Sequence, residues 1–366
     1  MSPTPRRRRL PDFPWDVLAP YQERARAHPA GVVDLSMGTP VDPTPPVVRD
    51  ALAAAADAPG YPTTYGRPEL RDAVAGYFAR RFGITTVAPD GVLPTIGSKE
   101  LVAWLPTLLD LDADDAVVLP ELAYPTYDVG ARLARVRAVA SDSTAALGPQ
   151  RVGLVWVNSP ANPHGRVLPA EHLAKMVAWA RERGAVLASD ECYLEFGWDR
   201  RPASVLDPEV NGGSLEGVIA VHSLSKRSNM AGHRAGFVVG DPALVRRILE
   251  PRKHAGLMVP LPVQAAMIAA LGDDDHVDAQ LALYRRRREV LWTAFETAGF
   301  RIDHSEAGLY LWVTRDEPCW ETIGWLAERG ILATPGEIYG HPGAMHVRVA
   351  LTATDEQVDA AAVRLS

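Results

Sequence analysis

Apolar and polar positions change their period along this chain in a way that predicts layered elements. From Val47 to Ala58, and again from Glu69 to Phe82, apolar residues recur at helical spacing. Leu70, Val74, Tyr77 and Phe78 fall on one face, and Gly83 stops the run. Between Val92 and about Val239, short apolar strands such as Ala116–Leu119, Val152–Val157, Gly184–Ser189 and Gly217–Val221 alternate with helical stretches. That alternation requires a largely parallel sheet covered on both faces, with site-forming loops after the strands. Past Gly240-Asp241-Pro242 the pattern predicts helices around Leu244–Leu249, Val263–Leu271 and His276–Ala298. Strands Leu309–Val313 and Met345–Leu351 then form a smaller sheet, closed by a helix from Asp355 to Leu365. The run Arg285 to Arg288 on the long helix reads as a solvated face. The expected class is α/β, with one large domain and a smaller α+β domain.

Chemistry concentrates at the predicted strand ends. Ser223-Leu224-Ser225-Lys226 follows one apolar strand, and Arg234 stands eight positions after Lys226. An amine flanked by hydroxyls and followed by an arginine suits a lysine that forms a Schiff base with an aldehyde cofactor, while hydroxyls and a guanidinium hold that cofactor's phosphate. Asp190 ends a second strand, followed by Glu191, Cys192 and Tyr193. A buried carboxylate there pairs with a protonated pyridine nitrogen, although an Asp after a strand also serves as a helix N-cap.

A third strand runs into Asn158-Ser159-Pro160-Ala161-Asn162-Pro163-His164-Gly165. Asn162 precedes a proline and is biased out of the helical region, so its amide can donate to a phenolate oxygen that Tyr193 also reaches. Gly97-Ser98-Lys99 lies at a strand-to-helix junction, where free backbone N–H groups attract a phosphate. Tyr124 follows the strand Ala116–Leu119 and is placed to stack on a ring face. Arg348, in the strand near the end of the chain, offers a fork for a carboxylate; strand alternation alone equally allows it to face outward.

In order and spacing these strings resemble the fold-type I, class I/II pyridoxal-phosphate aminotransferases over nearly the whole chain. The resemblance implies a seven-stranded large-domain sheet and pyridoxal 5'-phosphate as cofactor. It implies that Lys226 carries the cofactor, Asp190 faces the pyridine nitrogen, and Asn162 and Tyr193 hold the phenolate oxygen. Ser98, Lys99, Ser223, Ser225 and Arg234 would form the phosphate cup. Tyr61 matches a tyrosine that reaches the phosphate of the neighbouring subunit, which implies a homodimer with shared active sites. Arg348 and the backbone N–H of Gly38 would receive the substrate carboxylate. The implied domains are an N-terminal segment 12–40 packing with the small domain, a large domain 41–255 and a small domain 256–366. No metal is called for.

The strings Arg9 to Asp16 and Asp34 to Pro43 look like the actinobacterial succinyldiaminopimelate aminotransferases of lysine and cell-wall biosynthesis. That likeness implies N-succinyl-LL-2,6-diaminopimelate as amino donor and 2-oxoglutarate as acceptor, with Arg67, Arg252, Lys253 and Lys99 as cations for the distal carboxylates. Other aminotransferase substrates (aspartate, aromatic or acetyl-diaminopimelate) compete with it. So does a carbon–sulfur lyase of the same fold, which would keep Lys226 and Asp190 but need no keto-acid acceptor.

Composition agrees with an enzyme of this kind. The chain has 366 residues, enough for a substantial core, and a formal net charge of -7 that argues against nucleic acid as the main partner. Two cysteines, Cys192 and Cys319, give no disulfide framework and suit a reducing cytoplasm. The basic start Pro5 to Arg9 lacks the apolar stretch of an export signal and reads as a frayed tail; no apolar run is long enough for a membrane span.

Overall fold

The computed structural model describes residues 10–148 and 150–366, so the basic start up to Arg9 lies outside the described residues. Seven strands form the large sheet: β1 (Val92–Ile96), β2 (Ala116–Leu119), β3 (Arg137–Ala140), β4 (Val152–Asn158), β5 (Val186–Asp190), β6 (Val218–Ser223) and β7 (Ala235–Gly240). Their order is β1-β7-β6-β5-β4-β2-β3, and only β7 runs antiparallel to its neighbours. Every residue of β2, β5, β6 and β7 is buried. Helices on both faces explain why these strands read as unbroken apolar runs rather than alternating ones.

Register, rather than any single contact, assembles the site. Asn158 at the end of β4 sits opposite Asp190 at the end of β5, and Asp190 sits opposite Val221 of β6. The carboxyl ends of three adjacent strands therefore open onto one place, where a parallel sheet puts its ligands.

Helices form close to where the periodicity places them. The helix Pro68–Phe82 buries Leu70, Val74, Tyr77 and Phe78 and ends on Gly83 at φ 74°, a left-handed cap that glycine adopts at little cost. The helix expected over 47–58 spans Pro46–Ala54 and stops ahead of Pro59. The edge strand β3 was not legible: it begins with Arg137 and none of its four residues is buried, so it lacks an apolar signature.

A second sheet of four strands, 334–335, 347–350, 310–314 and 301–303 in spatial order, forms the small domain with the helices Cys319–Glu328 and Asp355–Leu365. The N-terminal segment joins it: Val33 and Asp34 pair in parallel with Ile331 and Leu332, and the Ala350 N–H donates to the Leu35 carbonyl. Helix Leu261–Gly272, however, buries Ala266, Met267, Ala270 and Leu271 in the large domain's core. We therefore propose a domain boundary near Asp273, in place of the expected one after residue 255.

The reading of Arg285 to Arg288 as a solvated face is corrected. Arg285 and Arg286 are exposed, but Arg287 is buried. Its guanidinium holds both Asp42 carboxylate oxygens at 2.6 and 2.7 Å and Asp355 at 2.8 Å. It thus ties the long helix Asp275–Thr297 to the stretch at Asp42, just past the N-terminal segment, and to the helix Asp355–Leu365. No helix among the described residues is long and apolar enough to cross a membrane.

Candidate active site

Every residue expected to hold the cofactor or the substrate's α-carboxylate, except Tyr61, lines a single cleft of about 300 Å³ at the carboxyl edge of the large sheet. Lys226 reaches it from a one-turn helix, Leu224–Arg227, that begins where β6 ends. Ser223 caps that turn, its hydroxyl accepting the Ser225 N–H at 3.1 Å. The Lys226 amine has no hydrogen bond or ion pair among the described residues. Burial, helped by the charges of Arg348 and Arg234, brings its pKa down from 10.5 to about 8 against an opposing effect of Cys192.

Asp190 is no N-cap: no helix follows it, and its carboxylate accepts the Tyr127 hydroxyl at 2.8 Å and the Cys192 N–H at 3.2 Å. Burial raises its pKa, because those two donors compensate only part of the lost hydration. Tyr127 in turn stacks on Trp156, with ring centroids 4.8 Å apart and planes 18° apart. Sequence reasoning missed Tyr127; its place three residues after Tyr124, at the start of helix Thr126–Ala134, was the available signal.

The loop after β4 is fixed from within. The Asn158 amide donates to the carbonyls of Asp190 and Pro160, while its oxygen accepts the Asn162 N–H at 2.8 Å. Asn162 uses its own oxygen to accept Arg348 Nη1 at 2.9 Å, and its Nδ2 hydrogens have no protein partner among the described residues. Arg348 faces inward, 3% exposed, which decides against the outward orientation. Its Nη2 donates to the Ser36 carbonyl at 2.7 Å, its Nε is buried without a partner among the described residues, and its guanidinium lies 4.0 Å from the centre of the Tyr310 ring. Tyr310, also missed, shares a 2.9 Å hydrogen bond between hydroxyls with Tyr193. Gly38 packs so closely against Tyr310 that a Cβ there would collide with its hydroxyl.

Gly97 at φ 70° turns β1 into the helix Ser98–Leu108. A Cβ at Gly97 would strike the guanidinium of Arg234. Arg234 adopts φ 54° as it enters β7 and donates to the Ala231 carbonyl at 2.7 Å. Ser98, Ser223, Ser225 and Arg234 thus bring hydroxyls, a helix start and a guanidinium to the same cleft as Arg348.

Two of the cations suggested for distal carboxylates are otherwise engaged. Arg252 is fully buried and holds both oxygens of Glu100 at 2.7 and 3.1 Å. Lys253 pairs with Glu250 at 2.7 Å on the surface. Arg67 is exposed beside Glu69 and does not line the cleft, whereas Lys99 does. Tyr61 is 95% exposed and away from the cleft of its own chain.

Comparison with known proteins places this arrangement. The family model "Aminotransferase class I and II" matches residues 30–365. The chain is 60% identical to the 4-dedimethylamino-4-oxo-anhydrotetracycline transaminase OxyQ of Streptomyces rimosus, over 98% of this chain and 100% of that one. It is 30% identical to the LL-diaminopimelate aminotransferase of Gloeobacter violaceus, over 98% of this chain and 96% of the other. Among solved structures, an aminotransferase from Neisseria meningitidis superposes with a TM-score of 0.87 at 30% identity, covering 97% of both chains.

Proposed function

This chain belongs to the class I and II aminotransferases, and from that premise we propose that it moves an amino group from N-succinyl-LL-2,6-diaminopimelate to 2-oxoglutarate. Pyridoxal 5'-phosphate is the cofactor, and the cleft fits it. Among the described residues, a buried carboxylate with no cationic partner stands in the same cleft as an unpaired buried amine, and Gly97 keeps the space beside Arg234 open. When bound, pyridoxal phosphate supplies the electron sink that drains charge from the substrate's α-carbon.

Each side chain then has a task in this reading. Lys226 Nζ would hold the cofactor covalently and, as a free amine, would move the proton at the α-carbon. A pKa of about 8 keeps a useful fraction of that amine neutral near physiological pH. Asp190 would set a negative charge against the ring nitrogen, with the Tyr127 hydroxyl bond keeping the carboxylate aimed. Asn162 Nδ2 and the Tyr193 hydroxyl would donate to the phenolate oxygen, Tyr124 would cover the ring, and Ser98, Ser223, Ser225 and Arg234 would receive the phosphate. Arg348 binds the α-carboxylate of donor and acceptor alike, with Gly38 beside it.

The observation that carries this reading is the buried Arg348 fork facing the same cleft as Lys226, since one fork serves both α-carboxylates. The exposed Tyr61 supports a homodimer in which it completes the neighbour's phosphate site. The two free cysteines suit the cytoplasm. One relative favours a second reading for the acceptor: the 60% identical transaminase is named for a polycyclic ketone, and an exposed aromatic ring at the cleft gives such a molecule a flat surface. A panel of donors, including succinylated and acetylated diaminopimelate, measured against 2-oxoglutarate and against 4-dedimethylamino-4-oxo-anhydrotetracycline, tests both. Fastest turnover with the succinylated donor and 2-oxoglutarate supports the first; turnover confined to the polycyclic ketone replaces it with the second.

A further inference from the structure

A second cavity, of about 290 Å³, shares Asn158 as a wall with the cofactor cleft, and no step above employs it. Strand order explains its place. From β2 the chain passes to β3 on one side through the helix Thr126–Ala134, whereas from β4 it passes to β5 on the other through the helix Ala170–Glu182. The first helix buries Tyr127 and Ala131 in one core, and the second buries Leu173 and Val177 in another. Alternation along β4 separates the same two faces: Val155 and Val157 join the core of Leu173, Leu154 and Trp156 that of Tyr127. The chain thus parts in opposite directions between β2 and β4, and a crevice opens past their carboxyl ends, where open α/β sheets hold ligands.

The wall of this cavity is apolar, made by Val118, Val155, Val157, Leu168 and Met176, and a cation stands at its edge. Arg166 lines it, is exposed, and makes no side-chain hydrogen bond or ion pair among the described residues. The one lining carboxylate among the described residues, Asp142, accepts the Glu121 N–H at 3.1 Å. His164 adds a donor. Its Nδ1 accepts the Arg166 N–H at 3.2 Å, and burial, with the charges of His304, Arg166 and His346, brings its pKa from 6.5 down to about 3. The ring is therefore neutral, and Nε2 carries the hydrogen.

One turn serves both cavities. The Ala161 N–H donates to the Arg166 carbonyl at 3.1 Å and the Gly165 N–H to the Ala161 carbonyl at 2.8 Å. Asn162 of this turn lines the cofactor cleft, while His164 and Arg166 line the second cavity.

We propose that this cavity is a second binding site, for a small organic anion with an apolar body and one carboxylate, coupled to the cofactor through the turn 161–166. The body lies against Val155, Val157 and Met176, and the carboxylate pairs with Arg166 and accepts from His164. Anion and cofactor each fix the turn that the other needs, so each tightens the other's binding by the same factor.

The probe is 4-phenylbutanoate, with 4-phenylbutanamide as its uncharged counterpart. Calorimetry on cofactor-free and pyridoxal-phosphate-loaded protein measures binding without turnover. Loaded wild type should bind the carboxylate about tenfold tighter than the amide, and Arg166→Gln should remove that difference while amide binding stays in place. Met176→Trp, which fills the apolar end, should weaken both compounds about tenfold. Arg166 and Met176 stand outside the cofactor cleft, so both variants should keep the wild-type pyridoxal phosphate content, which absorbance checks. Loaded wild type should also bind the carboxylate about fivefold tighter than cofactor-free protein. Carboxylate binding that survives both variants but disappears in Arg348→Ala belongs to the α-carboxylate fork and overturns the second site, as does no binding at millimolar probe. Equal affinity in loaded and cofactor-free protein overturns the coupling through the turn.

Discussion

The Lys226 amine and the Arg348 fork show how burial sets chemistry one residue at a time. Lys226 has its pKa lowered from 10.5 to about 8, so in the folded protein the neutral, nucleophilic amine grows in as pH rises through about 8 rather than through the value of a free lysine. The rate at which cofactor-free protein takes up pyridoxal phosphate should therefore climb between about pH 7 and 9 and then level off; a rate still rising steeply above that window would place the amine in water. For Arg348→Ala, KM should rise on the order of 100-fold for the amino donor and for the keto acceptor together, because both lose the same fork. A rise for only one of them in steady-state kinetics would mean that another group holds the second carboxylate. Both residues were legible in the sequence as types at strand ends. The partners that tune them were not: Tyr127, which aims Asp190, and Tyr310, beneath Arg348, are reached through folding contacts 63 and 38 positions away in sequence, and no local pattern announces such pairs.

Elements were legible where one face is apolar and obscure where polar atoms carry the packing. The parallel strands announce themselves as apolar runs, and the helix Asp355–Leu365 has the bounds that its periodicity predicts. The edge strand β3 and the inward arginine of the long helix do not. Yet Arg287 shares the helical spacing of the buried residues Tyr284 and Leu291, so its phase within the arginine run carried the information that its charge concealed. Because its guanidinium joins three segments through Asp42 and Asp355, Arg287→Ala strands Asp42 beside an empty cavity. Chemical denaturation should show a loss of about 3–5 kcal/mol. A loss below about 1 kcal/mol would make the cluster no stronger than a surface ion pair.

At the scale of the whole molecule, the cleft of one chain contains every group expected to hold the cofactor or the α-carboxylate except Tyr61, whose exposure suggests that it serves a second copy. Mixing subunits tests this. Tyr61→Ala and Lys226→Ala proteins, each impaired alone, should regain roughly a quarter of wild-type activity when unfolded and refolded together, since half the dimers are hybrids with one intact site each. Mixtures no more active than their components would return Tyr61 to its own chain or to the surface. The central claim is that Lys226 holds pyridoxal phosphate in a cleft that Asp190 shares, and covalent trapping tests it most directly. After reconstitution with pyridoxal phosphate and reduction with borohydride, peptide mass mapping should find the phosphopyridoxyl group on Lys226 in wild type, and in Asp190→Ala a weaker label at the same place. A label on any other lysine, or none on Lys226 in protein that binds the cofactor, would contradict the account.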